Sequence, residues 1–459
     1  SPTPTPPSVR RSTRDDRLPP DLRPLREEDF GPREARHLLL RAGFGGTPEQ
    51  IEALAERGLR AAVNHLVDYA AIPFDGVRSD AFDSGIMRPL TPEQRRIFRE
   101  AQQRQDEDTL AAFREERQRR QREDRRQMRA IQRWWLERMI ETPRPLEEKM
   151  TLFWHGHFAT SYRTIEDSYH MFRQNQLFRS MAVGNFGALL SQIIRDPAML
   201  AYLDNNDSRK GRPNENLARE LLELFGLGVG NYTEADVREG ARALTGYTFE
   251  DDAFVFREAA HDGGEKTILG ATGRLDGDGF VRAILAQRAC AEFLAVKLYR
   301  FFVQHIPEEQ PDRADLRQIR FVRALAAEIR ANEYELRPVL QRLFRSRHFY
   351  HPSILNRQIK SPVELAVGTI RSLRTPVRDL SAIVDALDRM GQNLFFPPSV
   401  KGWDGGVSWI NTSTLFVRQN LAGFLLTGHP PEGGGGPRDR RAYDPAPLLA
   451  PLAAESPAG

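Results

Sequence analysis

Two histidines separated by a single residue are the most chemically suggestive feature of this sequence. His155 and His157 lie in residues 154–158, Trp-His-Gly-His-Phe, and His170 follows further along the chain. Neutral imidazole is the commonest side-chain ligand of metal ions. Side chains two residues apart on a helix point about 200° apart, so this pair chelates one ion only where Gly156 breaks the helix. We predict a divalent metal ion held by His155, His157 and His170.

Two simpler interpretations of the histidine pair stay open. Leu146, Met150, Phe153 and His157 share one helix face, which is typical of a stripe that faces the core. Both rings are then core side chains satisfied by hydrogen bonds. Imidazole also titrates near neutral pH, so general acid or base catalysis is the third interpretation.

A row of alternating charge on a later helix supplies candidate catalytic residues. Glu215, Arg219 and Glu223 lie four residues apart on one face. Such a row is usually an exposed ion-pair ladder. If it is buried, one arginine cannot neutralise two carboxylates, so a pKa must shift. On that second interpretation Glu215, Arg219 and Glu220 are catalytic, with Glu215 or Glu220 as metal ligand or general base.

Two polar loops supply candidate ligand-binding residues. His261 and Asp262 begin a Gly-rich loop, and Trp403 and Asp404 lie in a second one. An exposed Trp beside a carboxylate offers a platform for a sugar ring, whereas a packed Trp would join the C-terminal helix to the core. Neither a P-loop nor a Rossmann spacing occurs, so we predict no nucleotide cofactor.

The elements that must position these residues are helices. Capping boxes begin at Thr47 and Thr91, and period-2 alternation over residues 247–256 indicates one β-hairpin. No helix breaker follows Thr91 before Pro143, so one charged helix is expected over about residues 91–142. We predict an all-α fold: a multi-helix globular array with a small β-hairpin and one long charged protruding helix.

Composition bounds the partners and the domain organisation. Acidic residues alternate with the arginines of residues 102–129, and the net charge of the chain is only +3. We therefore predict no nucleic-acid partner. Residues 102–129, the charged arm, are instead expected to dock a protein. No apolar run is long enough to span a membrane. We predict a disordered Pro/Arg-rich segment over residues 1–27, one helical domain over 28–428 and a flexible tail over 429–459. The Pro-rich start is typical of a spacer after an export signal, which favours a periplasmic or secreted protein.

Several motifs in a fixed order resemble the large bacterial family known as domain of unknown function 1800. The resemblance extends from about residue 33 to residue 425. It implies a helical fold, export, and a partner in the companion family domain of unknown function 1501, which resembles alkaline phosphatases and sulfatases. The motifs occupy residues 37–45, 153–158, 196–199, 213–225, 231–237, 241–246 and 401–403.

Two functional hypotheses follow from these features. The first is an exported metal-dependent enzyme, with a hydrolase favoured over an oxidoreductase because no cofactor motif is visible. The second is a non-catalytic scaffold or binding protein for a phosphatase/sulfatase-like partner or a polysaccharide. In the second hypothesis the histidines and the charged row are only polar networks of the fold.

Overall fold

The structure, a computed structural model, describes residues 17–74, 76–77, 82–306, 315–429 and 439–448. It is an all-α protein, as the sequence predicts. The helices are α1 Pro32–Arg41, α2 Pro48–Glu56, α3 Gly58–Val67, α4 Pro92–Arg104, α5 Glu107–Glu141, α6 Pro145–His157, α7 Tyr162–Ile165, α8 Ser168–Ser180, α9 Phe186–Ile193, α10 Pro197–Tyr202, α11 Asn216–Glu220, α12 Glu234–Ala243, α13 Gly277–Ala286, α14 Arg288–Phe302, α15 Leu316–Ala331, α16 Leu336–Arg345, α17 Pro362–Leu373, α18 Leu380–Arg389 and α19 Thr412–Thr427.

Helix α6 is the central element of the fold. Residues 145–155 are all buried, including the polar ones. Leu146 and Met150 belong to the larger of two hydrophobic clusters, and Leu152 belongs to the other, beside Trp135 of α5 and Val367 of α17. The predicted single core-facing stripe is therefore incomplete, because α6 packs on both of its faces.

The long charged helix is shorter than the sequence predicts. The predicted helix is interrupted at Gln105, which adopts the left-handed conformation with φ 55°. Asp106 then caps α5, its carboxylate accepting a hydrogen bond from the Thr109 N–H at 3.1 Å. Helix α4 folds back along α5, and the Phe98 and Phe113 rings meet edge to face at 5.3 Å. In the described part of the chain no helix combines the length and apolarity of a membrane span.

The predicted β-hairpin is confirmed. Strands β1 (Tyr247–Glu250) and β2 (Ala253–Phe256) pair antiparallel, with Tyr247 opposite Phe256. A second hairpin, β3 (Lys266–Ile268) and β4 (Ala271–Gly273), follows where the sequence indicated only a polar loop. Three-residue strands carry too little alternation to be recognised by pattern.

Both chain ends contain packed segments that the sequence assigned to disorder or flexibility. Leu18 and Leu22 are buried, and the Leu25 N–H donates to the Arg345 carbonyl. Near the other end, the buried Arg378 donates to the Arg441 carbonyl and pairs with Asp439 at 3.3 Å. Residues 17–27 and 439–443 therefore belong to the folded body. Of the two predicted terminal segments, residues 1–16, 430–438 and 449–459 lie outside the described residues.

Candidate ligand-binding cleft

A cleft opens between the C-terminal end of α6, helix α14, the start of α17 and the loop between α18 and α19. Its volume is about 880 Å³ when the space open to solvent is included. Aromatic side chains form much of the wall: Phe153, Phe301, Trp403 and Trp409. The charged side chains that line it are Lys297, Arg300, Lys401, Glu364 and Asp404.

A close backbone contact holds the α18–α19 loop against α6. Gly402 has φ +82°, and a Cβ built there would lie 2.2 Å from the Gly156 carbonyl oxygen. Only glycine fits such an approach in this conformation. The Trp403 ring then lies 5.6 Å from the His155 ring. Residues 154–158 and 401–403, far apart in the sequence, are thereby brought to one cleft.

A buried ionic network forms the floor of the cleft around Glu364. Its Oε1 accepts from Lys149 Nζ and lies 3.4 Å from Arg41 Nη1. Its Oε2 accepts from the Ser361 N–H at 2.8 Å, as part of the capping box of α17. Burial alone raises the pKa of Glu364, but the charges of Lys149 and Arg41 overcome it and lower that pKa to about 2. The carboxylate is thus ionised, and the positive charges of Lys149 and Arg41 balance its negative charge.

The cationic side chains that line the cleft include Lys297 of α14 and Lys401 of the α18–α19 loop. Lys297 lies on α14 with its Nζ 5.2 Å from the centroid of the Phe293 ring. Lys401 pairs with the exposed Asp404, Nζ to Oδ1 2.9 Å. Glu364, in contrast, is neutralised by Lys149 and Arg41, which lie behind the cleft.

His155 faces away from the cleft, into the core. Its Nε2 accepts a hydrogen bond from the Phe395 N–H at 3.0 Å, and its ring packs on the Trp135 ring at 5.1 Å. Burial lowers the pKa of His155 to about 3. The ring is a neutral core side chain, the first of the simpler interpretations.

His157 lines the cleft from the opposite face of α6. Its Nε2 donates to the Phe225 carbonyl at 3.0 Å, at the end of a π-helical stretch, Leu221–Gly226, that continues α11. Its Nδ1 is buried without a hydrogen-bond partner. Burial and the charge of Lys297 lower the pKa of His157 to about 3. At neutral pH the free nitrogen is therefore a hydrogen-bond acceptor and a weak base.

His170 lies in a different part of the molecule from the other two histidines. Its Nε2 donates to the Asp251 carbonyl at 2.9 Å, which fixes the turn of the first hairpin on α8. Helix α6 also continues through Gly156, so His155 and His157 stay on opposite faces. The predicted three-histidine ligand set is corrected: these residues do not meet. Within the described ranges no group of three or more His, Cys, Asp or Glu side chains is placed to hold a metal ion.

The predicted catalytic row is a half-exposed ion-pair ladder away from the cleft. Arg219 pairs with Glu215 at 3.2 Å and, more closely, with Glu234 of the neighbouring helix α12 at 2.7 Å. Burial and the charge of Glu223 raise the pKa of Glu220. The pairing with Glu234 was not visible in the spacing. The catalytic interpretation required a buried row, and the side chains of Arg219, Glu215 and Glu234 are all partly exposed.

His261 and Asp262 support a loop near the second hairpin. His261 Nδ1 donates to the Thr245 carbonyl at 2.8 Å. Asp262 accepts from Arg242 Nε at 2.8 Å, and that hydrogen bond lowers the pKa of Asp262 to about 2. Neither residue lines the cleft. Of the predicted site residues, the structure brings together at the cleft only His157, Trp403 and Asp404.

Sequence reasoning missed the floor of the cleft. Lys149 and Glu364 are 215 positions apart, and no local pattern links them. The capping box of Ser361 and Glu364 was a readable signal for a helix start. That signal gave no indication that the same carboxylate would meet Lys149 and Arg41 in the interior.

A family model described as "Protein of unknown function (DUF1800)" matches residues 37–455, nearly the whole chain. The match confirms the resemblance that the ordered motifs indicated. Its range includes both segments that meet at the cleft, residues 154–158 and 401–403. No curated protein and no solved structure matches this chain.

Proposed function

This chain belongs to the DUF1800 family, and we propose that it binds a small organic anion in the cleft between α6, α14, α17 and the α18–α19 loop. The single observation that carries the proposal is the convergence of three cationic side chains, Lys297, Arg300 and Lys401, on one concave site with aromatic walls. Ligand sites are typically clefts with apolar walls and a few converging polar groups.

The charge of the cleft favours an anion over a neutral or cationic ligand. Three cationic side chains and two carboxylates line it. One of those carboxylates, Glu364, is already paired with Lys149 and Arg41. The other, Asp404, is exposed at the rim and paired with Lys401. A carboxylate or phosphate that entered would find Lys297, Arg300 and Lys401 around it, partly shielded from water.

The walls of the cleft favour a ligand that carries a ring. The Trp403 side chain is only partly buried, and Trp409 and Phe301 lie around the same space. Flat aromatic faces stack on rings at a low cost in conformational entropy, because Trp has few rotatable bonds. This use of Trp403 corresponds to the platform interpretation of the sequence.

The metal-dependent hydrolase that the sequence predicted stays a separate hypothesis. His155, His157 and His170 lie apart and do not fit a common ion. Elemental analysis of natively purified protein, beside the His155→Ala/His157→Ala double variant, tests it. Export and an association with a phosphatase/sulfatase-like partner likewise stay predictions.

The test of the proposed function is equilibrium binding of cyclohexanecarboxylate and its uncharged analogue cyclohexanecarboxamide, followed by calorimetry. We expect the carboxylate to bind at least about tenfold more tightly, a difference of about 1.4 kcal/mol. Its affinity should also fall as salt is raised from 50 to 500 mM, since salt screens exposed charge.

A matched pair of variants on α14 locates the effect. Lys297→Gln removes a cation of the cleft, whereas Arg288→Gln removes an exposed one at the start of the same helix. We expect Lys297→Gln to weaken carboxylate binding severalfold and Arg288→Gln to leave it unchanged. Equal binding of the carboxylate and the carboxamide, or equal effects of the two variants, contradicts the proposal.

A further inference from the structure

A second cavity, the α1–α17 cavity, is lined by α1, the first part of α2, the loop before α17 and α17 itself. Its volume is about 1600 Å³ when the space open to solvent is included. It has no lining residue in common with the cleft. A ligand of this cavity would therefore be held by side chains other than those of the cleft.

The apolar side chains of the α1–α17 cavity are aliphatic. None of the described residues that line it is Phe, Tyr or Trp. Leu40, Leu355 and Leu373 line it and belong to neither of the two hydrophobic clusters of the fold. Ile51 and Leu448 add to the same lining. This aliphatic surface can be covered by an apolar group of a ligand, which is favourable in water.

Three basic side chains line the same cavity. Arg33 and Arg36 are exposed and lie three positions apart on α1, so they share one face of that helix. The third is Lys360, in the loop before α17. Within the described part of the chain, none of these three side chains forms an ion pair with a carboxylate. Glu52 is the one acidic residue among the described lining residues, so positive charge is in excess.

The basic side chains are close enough to repel one another. Partial burial lowers the pKa of Lys360; Glu364 opposes this effect, but the charges of Arg36 and Arg41 add to it. Arg41 is already paired with Glu364, whereas Arg36 has no carboxylate partner in the described chain. A bound anion would relieve the repulsion between Arg36 and Lys360, and arginine forms two parallel hydrogen bonds with a carboxylate or phosphate group.

From the aliphatic surface and the unpaired positive charge of one cavity, we propose that the α1–α17 cavity binds an alkyl-chain anion, an alkyl carboxylate or an alkyl phosphate. The chain packs against Leu40, Leu355 and Leu373, and the anionic group lies beside the three basic side chains. Aliphatic walls suit a flexible chain, whereas the aromatic walls of the cleft suit a ring. This site lies beyond the proposed function of the cleft and does not depend on it.

Calorimetric titration with hexanoate, octanoate and decanoate, below micelle-forming concentrations, tests the aliphatic part of the site. Complete burial of a methylene group raises affinity about fourfold, and we expect about two- to fourfold per methylene in this partly open cavity. Octyltrimethylammonium, with the same chain and the opposite charge, tests the basic part. We expect octanoate or octyl phosphate to bind at least about tenfold more tightly. An affinity independent of chain length, or equal binding of anion and cation, overturns the inference.

Matched variants locate the binding. Arg36→Gln removes a cation of the cavity, whereas Arg60→Gln removes an exposed one on α3 that does not line it. We expect Arg36→Gln to weaken octanoate binding severalfold and Arg60→Gln to leave it unchanged. Leu373→Ala should reduce the gain in affinity per methylene. Leu415→Ala, which removes an exposed leucine of α19, should not. Equal effects within either pair place the ligand elsewhere and overturn the inference.

Two further measurements separate this site from other places where such a ligand could bind. In saturating cyclohexanecarboxylate, we expect octanoate to keep its affinity. Displacement of octanoate would place it in the cleft, which overturns this inference and supports the proposed function. If cyclohexanecarboxylate does not bind while octanoate follows the expected pattern, the proposed function fails and this inference stands.

Sedimentation with phosphatidylglycerol vesicles distinguishes a free alkyl anion from the surface of a lipid bilayer. We expect octanoate or octyl phosphate to bind in the absence of vesicles. Sedimentation of the protein with the vesicles, without binding of either free anion, would assign the positive charge to a membrane surface and overturn the inference.

Discussion

The α4–α5 hairpin and the floor of the cleft are built from the same kinds of charged residue but use them in opposite ways. On α5, Arg119 pairs with Glu116 at 2.7 Å and Glu123 at 3.4 Å, and all three side chains are about half exposed. Under the cleft, Lys149 is fully buried and Glu364 nearly so. Water screens the first set, whereas the second set has only its own partners to stabilise its charges.

This difference shows where in the fold a charged side chain lowers stability unless it is paired. Taking an ion out of water costs several kcal/mol, and only close partners compensate for it. Burial lowers the pKa of Lys149 to about 8 even beside Glu364, which shows how strongly the interior opposes the charge. The α5 ladder needs no such compensation. A buried charged side chain is thus a stronger indication of a functional site than a high density of charged residues along the sequence.

The largest expected effect comes from breaking the buried network. Glu364→Gln keeps the shape of the side chain but leaves Lys149 and Arg41 buried without their carboxylate. We expect the free energy of unfolding to fall by about 3–5 kcal/mol, the usual result of removing one partner of a buried ion pair. Urea unfolding measures it, with Glu123→Gln as the exposed counterpart. Similar losses in the two variants would contradict the distinction between the regions.

A smaller effect is expected from acid, through the buried neutral histidines. The pKa of His155 is lowered by burial to about 3, below the unfolded value of 6.5. Between these values the unfolded chain binds a proton that the folded chain does not, so stability present above pH 6.5 is lost as the pH falls towards 3. From pH 6.5 to 5 this amounts to about 2 kcal/mol for one histidine.

The matched variants for this prediction are His155→Gln and His429→Gln. His429 is exposed on the surface, and its variant is the control for the loss of a histidine outside the core. His155→Gln should flatten the pH dependence of unfolding, because glutamine does not titrate and still offers an acceptor to the Phe395 N–H. An identical pH dependence in wild type and His155→Gln would show that the ring takes up a proton within the fold.

The smallest effect is expected on the exposed ladder. Arg119→Gln removes both ion pairs of Arg119, and we expect the midpoint of urea unfolding to stay unchanged, since exposed pairs contribute little and are screened by salt. The anion affinity of the cleft should also be unchanged. A clear downward shift of the midpoint would show that this part of α5 is covered in solution, as docking of a protein on residues 102–129 requires.

The sequence alone determined most of the local structure and the family. The capping boxes at Thr47 and Thr91 predicted the starts of α2 and α4, and alternation predicted β1 and β2. These signals are readable because each is satisfied within a few residues of the chain. Asp106, the cap of α5, was also present as a signal, but no Gly or Pro marked the break at Gln105 and it was missed.

Only the tertiary structure decided which chemically suggestive residues belong together. The spacing of His155 and His157 could not predict what surrounds each ring. A helix pattern shows only the angle between the two side chains, and α6 is buried on both faces. The spacing of Glu215 and Arg219 could not show that both side chains are partly exposed or that Arg219 also pairs with Glu234 of another helix. The cleft itself depends on Gly402 meeting Gly156 and on Glu364 meeting Lys149. Such contacts arise from packing between distant segments, and their energies depend on burial, which no local pattern encodes.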